Sequence, residues 1–170
     1  MTTTLNQIRS HRPCQEGWAK LLKHLNKSSA NDEPLHLSTV LESNGLNDAI
    51  WCLRAEPTPE RIQRFALAVA RRVQHLHPQA EAVLDIVERY LSGQATTAEL
   101  DTATYAASAA TYAASAAASA ASAAGDAAAA DYVACAAAHA ADAAVYAAFA
   151  ATDIEAEREA QAQIFKEIFA

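Results

Sequence analysis

Five residues in the second half of the chain have types and spacing that could do chemistry: Asp131, Cys135, His139, Asp142 and Tyr146. Their separations of four, four, three and four put them on one face of an α-helix. Cys and His one turn apart can reach a single metal ion, and Asp142 would add an oxygen ligand. The alternative is a polar seam among alanines, where only short groups fit. No second ligand cluster accompanies the first, which favours the seam, so no metal or other cofactor is assigned. A second constellation is Asp48, Trp51 and Arg54, three residues apart in turn. It suits either an Asp–Arg pair around a partly buried Trp or a partner surface, since Trp and Arg are enriched where partners bind most strongly. Arg71 and Arg72 with His75 and His77 could hold an anion or form a solvated face. Catalysis finds no support. There is no Gly-x-Ser-x-Gly and no phosphate-cradling loop, and the chain has only four glycines. The chain is not expected to be an enzyme.

The elements that must position these residues start with alanine. From about Gln94 to Thr152 the sequence is nearly all Ala, relieved by Ser, Thr, Tyr and a few Asp. Alanine loses no side-chain rotamer freedom and does not compete with the backbone for hydrogen bonds, so the stretch must be helical. Thr104–Ala110 reads TYAASAA and repeats at once as Thr111–Ala117. Seven residues is nearly two turns, so the polar residues form one stripe and alanines cover the rest. Gly125–Asp126 supplies a helix stop followed by a cap. The spacing predicts helices over 97–124 and 127–151, each about 40 Å long, close-packed as a hairpin. Because an alanine methyl buries little area, larger residues must lock it. Candidates are Tyr105, Tyr112, Tyr132, Val133, Val145, Tyr146 and Phe149, met by large residues from the N-terminal half. Thr96–Glu99 and Thr152–Glu155 both read T-x-x-E, the capping box that opens a helix. The second opens a terminal helix carrying Ile164, Phe165, Ile168 and Phe169.

Residues 1–13 read as a flexible arm ended by Pro13. Trp18, Leu21, Leu22 and Leu25 recur at helical spacing over 14–26. A loop covers 26–37. Short helices follow, one capped by Ser38 and ended at Asn44–Gly45, the next capped by Asn47 and carrying Ile50, Trp51 and Leu53. Thr58–Pro59 starts a helix to about residue 76, with Arg61, Arg64, Arg71 and Arg72 outward. His77–Pro78 opens another, ended by Gly93. No segment shows a strand's period of two. The expected fold is all-α: one domain, a bundle of about eight antiparallel helices with a long Ala-rich helical hairpin. Successive pairs could stack as a short solenoid, although no repeat of solenoid length is visible.

Charge separates the two halves. Residues 1–93 hold eleven Lys or Arg and ten Asp or Glu, a net of +1. Residues 94–170 hold two and ten, a net of −8. The whole chain carries −7. This argues against nucleic acid, whose phosphates demand a basic footprint. It suits a basic protein partner, or simply solubility. Three cysteines, an odd count without paired spacing, and an N-terminus lacking a signal-like apolar run imply a cytoplasmic protein with free thiols. The uncharged run 102–125 is long enough for a bilayer, but Ala, Ser and Thr are too weakly apolar to insert, so no membrane association is expected. Ice binding needs regular Thr, and only Thr104 and Thr111 fall on the repeat.

The stretch Gly45-Leu46-Asn47-Asp48-Ala49-Ile50-Trp51-Cys52-Leu53-Arg54, followed by Arg61, Arg64, Phe65-Ala66 and Ala70, a helix ending near Gly93 and the Ala/Tyr/Ser helices, resembles the small α-helical immunity proteins of bacterial polymorphic toxin systems. The resemblance spans roughly residues 40–168. It implies inhibition by binding: a cognate toxin is occluded, and this chain performs no reaction. An acidic half fits such a role, because toxins that cut nucleic acid are commonly basic. The candidate partner-binding residues are Asp126, Asp131 and Asp142, then Asp48, Trp51 and Arg54. Two other readings stand beside this one. One is self-association as a homodimer through the Ala-rich face. The other is a metal- or ligand-binding helical protein built on Cys135, His139 and Asp142.

Overall fold

The structure, a computed structural model, describes residues 2–76, 78–107, 119–120, 130–149 and 154–170. Among them the chain is all-α. The helices are α1 (Leu5–Ser10), α2 (Gln15–His24), α3 (Leu37–Asn44), α4 (Leu46–Trp51), α5 (Pro59–Val73), α6 (Pro78–Leu91), α7 (Thr97–Ala107), α8 (Ala130–Phe149) and α9 (Ile154–Phe169). Two 3₁₀ turns, Cys52–Ala55 and Gln74–Leu76, continue α4 and α5. The Gly125–Asp126 turn, the second TYAASAA copy and the Thr152 cap lie outside the described residues.

Local signals set several boundaries. Pro59 opens α5 in its first turn behind Thr58, as its fixed φ and missing N–H favour. Gly93, at φ 73°, closes α6 in the left-handed conformation that suits glycine. Its N–H donates to the Tyr90 carbonyl (2.9 Å) and that of Gln94 to Arg89 (2.7 Å), which satisfies two of the last carbonyls. The first capping box forms as read. The Thr96 N–H donates to Glu99 Oε2 (2.8 Å), and the Glu99 N–H donates to Thr96 Oγ1 (3.3 Å). The Thr96 N–H, and then the Thr96 hydroxyl, which donates to the same Oε2 (2.9 Å), hold the Glu99 carboxyl below its ordinary range.

The N-terminal arm is not loose. Thr3–Thr4 pairs antiparallel with Pro34–Leu35, as β1 and β2 of a two-residue ladder. Thr4 then caps α1 by accepting from the Gln7 N–H (3.1 Å). Leu5 and Ile8, three apart and so on one helix face, are each 1% exposed. The burial of these two side chains acts together with the strand ladder and the Thr4 cap to hold the arm against its chain entropy.

The core sits on α5. Its Ile62, Ala66, Val69 and Val73, spaced four, three and four, are buried. The buried line of α8, Val133, Ala137, Ala140 and Ala144, has the same spacing, and α8 packs along α5. The small side chains expected to permit close approach are therefore used against α5. The described part of the first Ala-rich helix, α7, packs on α6. Among the proposed anchors Val133 is fully buried and Val145 partly so. The side chains of Tyr105, Tyr112, Tyr132, Tyr146 and Phe149 lie outside the described residues.

Helix α9 closes the core. Phe165 and Phe169 meet Phe65 edge-on, with ring centroids 5.5 and 6.0 Å apart. Arg61, expected outward, folds back. Its Nε donates to the Ile168 carbonyl (2.9 Å), and its guanidinium lies 5.0 Å above the Phe169 ring. In the first turn of α9 the buried Glu157 accepts from Arg72 Nε (2.9 Å) and from Gln161 Nε2 (3.1 Å). Gln161 Nε2 also donates to the Ala141 carbonyl (3.1 Å), tying α9 to α8. Arg71 pairs with Asp85 (2.8 Å) and Glu88 (2.7 Å). Arg71 and Arg72 are thus occupied by carboxylates and do not form an anion site. His77 lies outside the described residues.

Replacing Phe165 by Ala removes the ring shared by α5 and α9. The expected loss is about 3–5 kcal/mol of unfolding free energy in urea titrations, with the m value unchanged. A loss below about 1 kcal/mol would show that α9 does not depend on the aromatic cluster.

Candidate functional site

The residues that come together lie in α2, α3 and α4. Cys14 caps α2 by accepting from the Gly17 N–H (Sγ–N 3.3 Å). The apolar face of α2 places Leu21 inside and leaves Trp18 half-buried. Helix α3 ends at Gly45, whose φ of 97° is one that a side chain would resist, and α4 starts at the next residue. Asn44 stands at this junction and is fully engaged. Its Nδ2 donates to the Gly17 carbonyl (2.8 Å) and to Asp48 Oδ2 (2.7 Å), while Oδ1 accepts from Ser43 Oγ (2.7 Å). One amide side chain thereby fixes α2 against α4.

Between these helices is a cavity of about 280 Å³. Ile8, Leu21 and Val40 give it an apolar lining, and Trp18 and Trp51 add aromatic surface. Asp48 is the charged residue among its walls. Gly17 matters through what it lacks, because a Cβ there would stand 2.7 Å from Asp48 Oδ2 and 3.1 Å from Cys14 Sγ. A glycine in the first turns of an amphipathic helix costs helix stability relative to alanine. Here it leaves room for a carboxylate. That glycine is the sequence signal by which the cavity could have been found, together with the polar run from Asn44 to Asp48.

Asp48, Trp51 and Arg54 do not form the expected pair around the Trp. The α-helix ends at Trp51 and the chain tightens into a 3₁₀ turn, in which residues three apart eclipse. Arg54 therefore stacks on Trp51, its guanidinium 5.0 Å from the ring centroid, and Nη1 donates to the Trp51 carbonyl (3.0 Å). Asp48 lies about 10 Å back along the axis and bonds to Asn44 instead. The Arg54 Nη2 reaches across to Cys135 Sγ on α8 (3.3 Å). The two constellations read from the sequence thus touch through one guanidinium–thiol contact.

Cys135, His139 and Asp142, the described polar residues of this face of α8, are not gathered around one point. Cys135 is half-buried under Arg54, whereas His139 and Asp142 are exposed. Among the described residues no group of three His, Cys, Asp or Glu is placed to hold a metal ion. The side chains of Asp126 and Asp131 lie outside the described residues. No described helix is long and apolar enough to cross a membrane.

Cys52 also lines the cavity and is buried. Burial, then the charge of Asp48, pushes its thiol from about 9 up to about 12, against a smaller pull from Arg54. Between those values the unfolded chain has released a proton that the folded chain keeps. This contribution to stability is therefore intact below about pH 9 and lost as pH rises toward 12. Wild type is expected to lose about 4 kcal/mol relative to Cys52→Ala across that window, read by urea titrations at stepped pH. Parallel profiles for the two proteins would show that the Cys52 thiol ionises freely in the folded state. At pH 8 a thiol-labelling reagent is expected to modify the exposed Cys14 well before Cys52.

Set against known proteins, the chain matches no family model, no curated protein and no solved structure. The functional reading therefore rests on the chemistry of its own residues.

Proposed function

We propose that this chain is a protein-binding module of the immunity type, which occludes a basic partner through the acidic surface of its C-terminal half. The observation that carries this is how the charges are used. In the N-terminal half, Arg61 pairs with Glu56, Arg71 with Asp85 and Glu88, Arg72 with Glu157 and Arg89 with Glu99. Those cations are largely neutralised within the chain; two of the partners, Glu99 and Glu157, come from the C-terminal half, where eight further Asp or Glu still outnumber Arg158 and Lys166. Residues 94–170 carry a net of −8, with no Lys or Arg between Arg89 and Arg158. Asp101, Asp142 and Glu159 are exposed there and form no ion pair among the described residues. An unpaired excess of one sign steers an oppositely charged partner and repels nucleic acid.

In this reading inhibition is the purpose of such binding, as the resemblance drawn from residues 40–168 of the sequence implies, with a toxin that acts on nucleic acid as the basic partner. Three free thiols suit a reducing cytoplasm. Asp126, Asp131 and Asp142 are the foremost contact residues, with Asp48, Trp51 and Arg54 second. Self-association through the Ala-rich face is the weaker reading, because the line Val133, Ala137, Ala140 and Ala144 of α8 is already covered within the chain.

An affinity pull-down from the source cells at low and raised salt, read by mass spectrometry, is the direct test. A single basic partner lost at raised salt is the expected result. Against that partner, Asp126→Lys, Asp131→Lys and Asp142→Lys combined should weaken Kd by roughly a hundredfold and flatten its salt dependence. Unchanged affinity would remove this surface from the interface.

A further inference from the structure

The cavity between α2, α3 and α4 sets Asp48 and Trp51, which rank second among the contacts proposed above, beside apolar walls that the acidic-surface reading does not use. We propose that it is a binding site for a small organic cation: a protonated amine carried on a compact apolar body. The argument begins with Asp48. It is half-buried, and its Oδ2 is held by Asn44 Nδ2 at 2.7 Å, yet among the described residues it has no cationic partner. Charged groups placed out of water are normally paired. Two cations on neighbouring turns make other contacts. Lys20 Nζ lies 3.5 Å from the Asn44 carbonyl, and Arg54 is stacked on Trp51 and bonded to Cys135. The thiol of Cys52 stays protonated at neutral pH and so supplies no charge of its own.

The rest of the lining matches the other end of such a ligand. Trp18 and Trp51 are both half-buried, so an occupant would cover them. Indole rings attract cations by their electron-rich faces and also pack well on flat apolar groups. Ile8, Leu21 and Val40 add aliphatic surface. The volume of about 280 Å³ lies at the small end of ligand pockets. It admits an arylalkylamine and excludes a nucleotide. The carboxylate is also preorganised. Asn44 is itself held by Ser43 Oγ and by the Gly17 carbonyl, and the absent side chain at Gly17 leaves Asp48 reachable. Little ordering is left for the ligand to impose.

The chain has two tryptophans, and both line this cavity, so intrinsic tryptophan emission reports on it alone. The probes are 2-phenylethylamine and its neutral counterpart 2-phenylethanol, which share the same apolar body. The amine is expected to change the emission saturably, with an affinity at least roughly tenfold above that of the alcohol. Asp48→Asn, which keeps the shape of the side chain, should reduce the amine to the affinity of the alcohol and leave the alcohol unchanged. Thermal unfolding of the variant checks that it folds, and the amine–alcohol comparison in the wild type stands without it. Equal binding of the two probes would overturn the proposal. So would an amine preference that survives Asp48→Asn, or the absence of any saturable change up to about 10 mM.

Discussion

An alanine helix cannot hold itself in place. Each methyl removes little apolar surface from water, so α8 gains position only by pressing its backbone close to a helix that brings the bulk. That helix is α5. The four-three-four line of Val133, Ala137, Ala140 and Ala144 packs along the matching line of Ile62, Ala66, Val69 and Val73. Much of the remaining core follows from it. The opposite needs of the two helices, small on α8 and large on α5, leave Phe65 free to gather Phe165 and Phe169, which fixes α9. Glu157 and Gln161 then satisfy the buried polar groups that this close packing encloses, including the Ala141 carbonyl of α8.

What was legible in the sequence was local. The Thr96–Glu99 box, Pro59 behind Thr58 and the stop at Gly93 each depend on residues within one turn, and each forms as its chemistry requires. The all-α class follows from the same kind of signal. The arm from Thr3 to Ser10 was not legible, because Leu5 and Ile8 are too few to set a period. Their burial comes from packing distant in the sequence, and β1 finds its partner some thirty residues away. The close partner of α8 was hidden for a related reason. Small residues announce that something approaches, not what does. Arg61 and Arg72 read as solvated charges until the C-terminal helix arrived with the Ile168 carbonyl and Glu157.

The candidate site shows the same division. Asp48, Trp51 and Arg54 were visible as a constellation, but the change from α-helix to 3₁₀ turn at Cys52 redirects it. A tighter turn eclipses Arg54 over Trp51 and leaves Asp48 to Asn44. The walls of the cavity come from residues as far apart as Ile8 and Cys52, and of these Asp48 and Trp51 stood out in the sequence as site candidates while the remaining walls did not.

Arg54 joins the two regions of functional interest. It covers one wall of the cavity by stacking on Trp51, and it meets α8 by bonding to Cys135, one turn from His139 and two from Asp142. A guanidinium is rigid and planar, so the stack and the thiol contact constrain each other: Trp51 cannot turn far without drawing Arg54 from α8. Arg54 adds a polar link to the packing of α4 and the 3₁₀ turn on α8, and the Trp51 carbonyl anchors its guanidinium. Trp51, half-buried, thus takes part both in this stack and in the wall of the cavity.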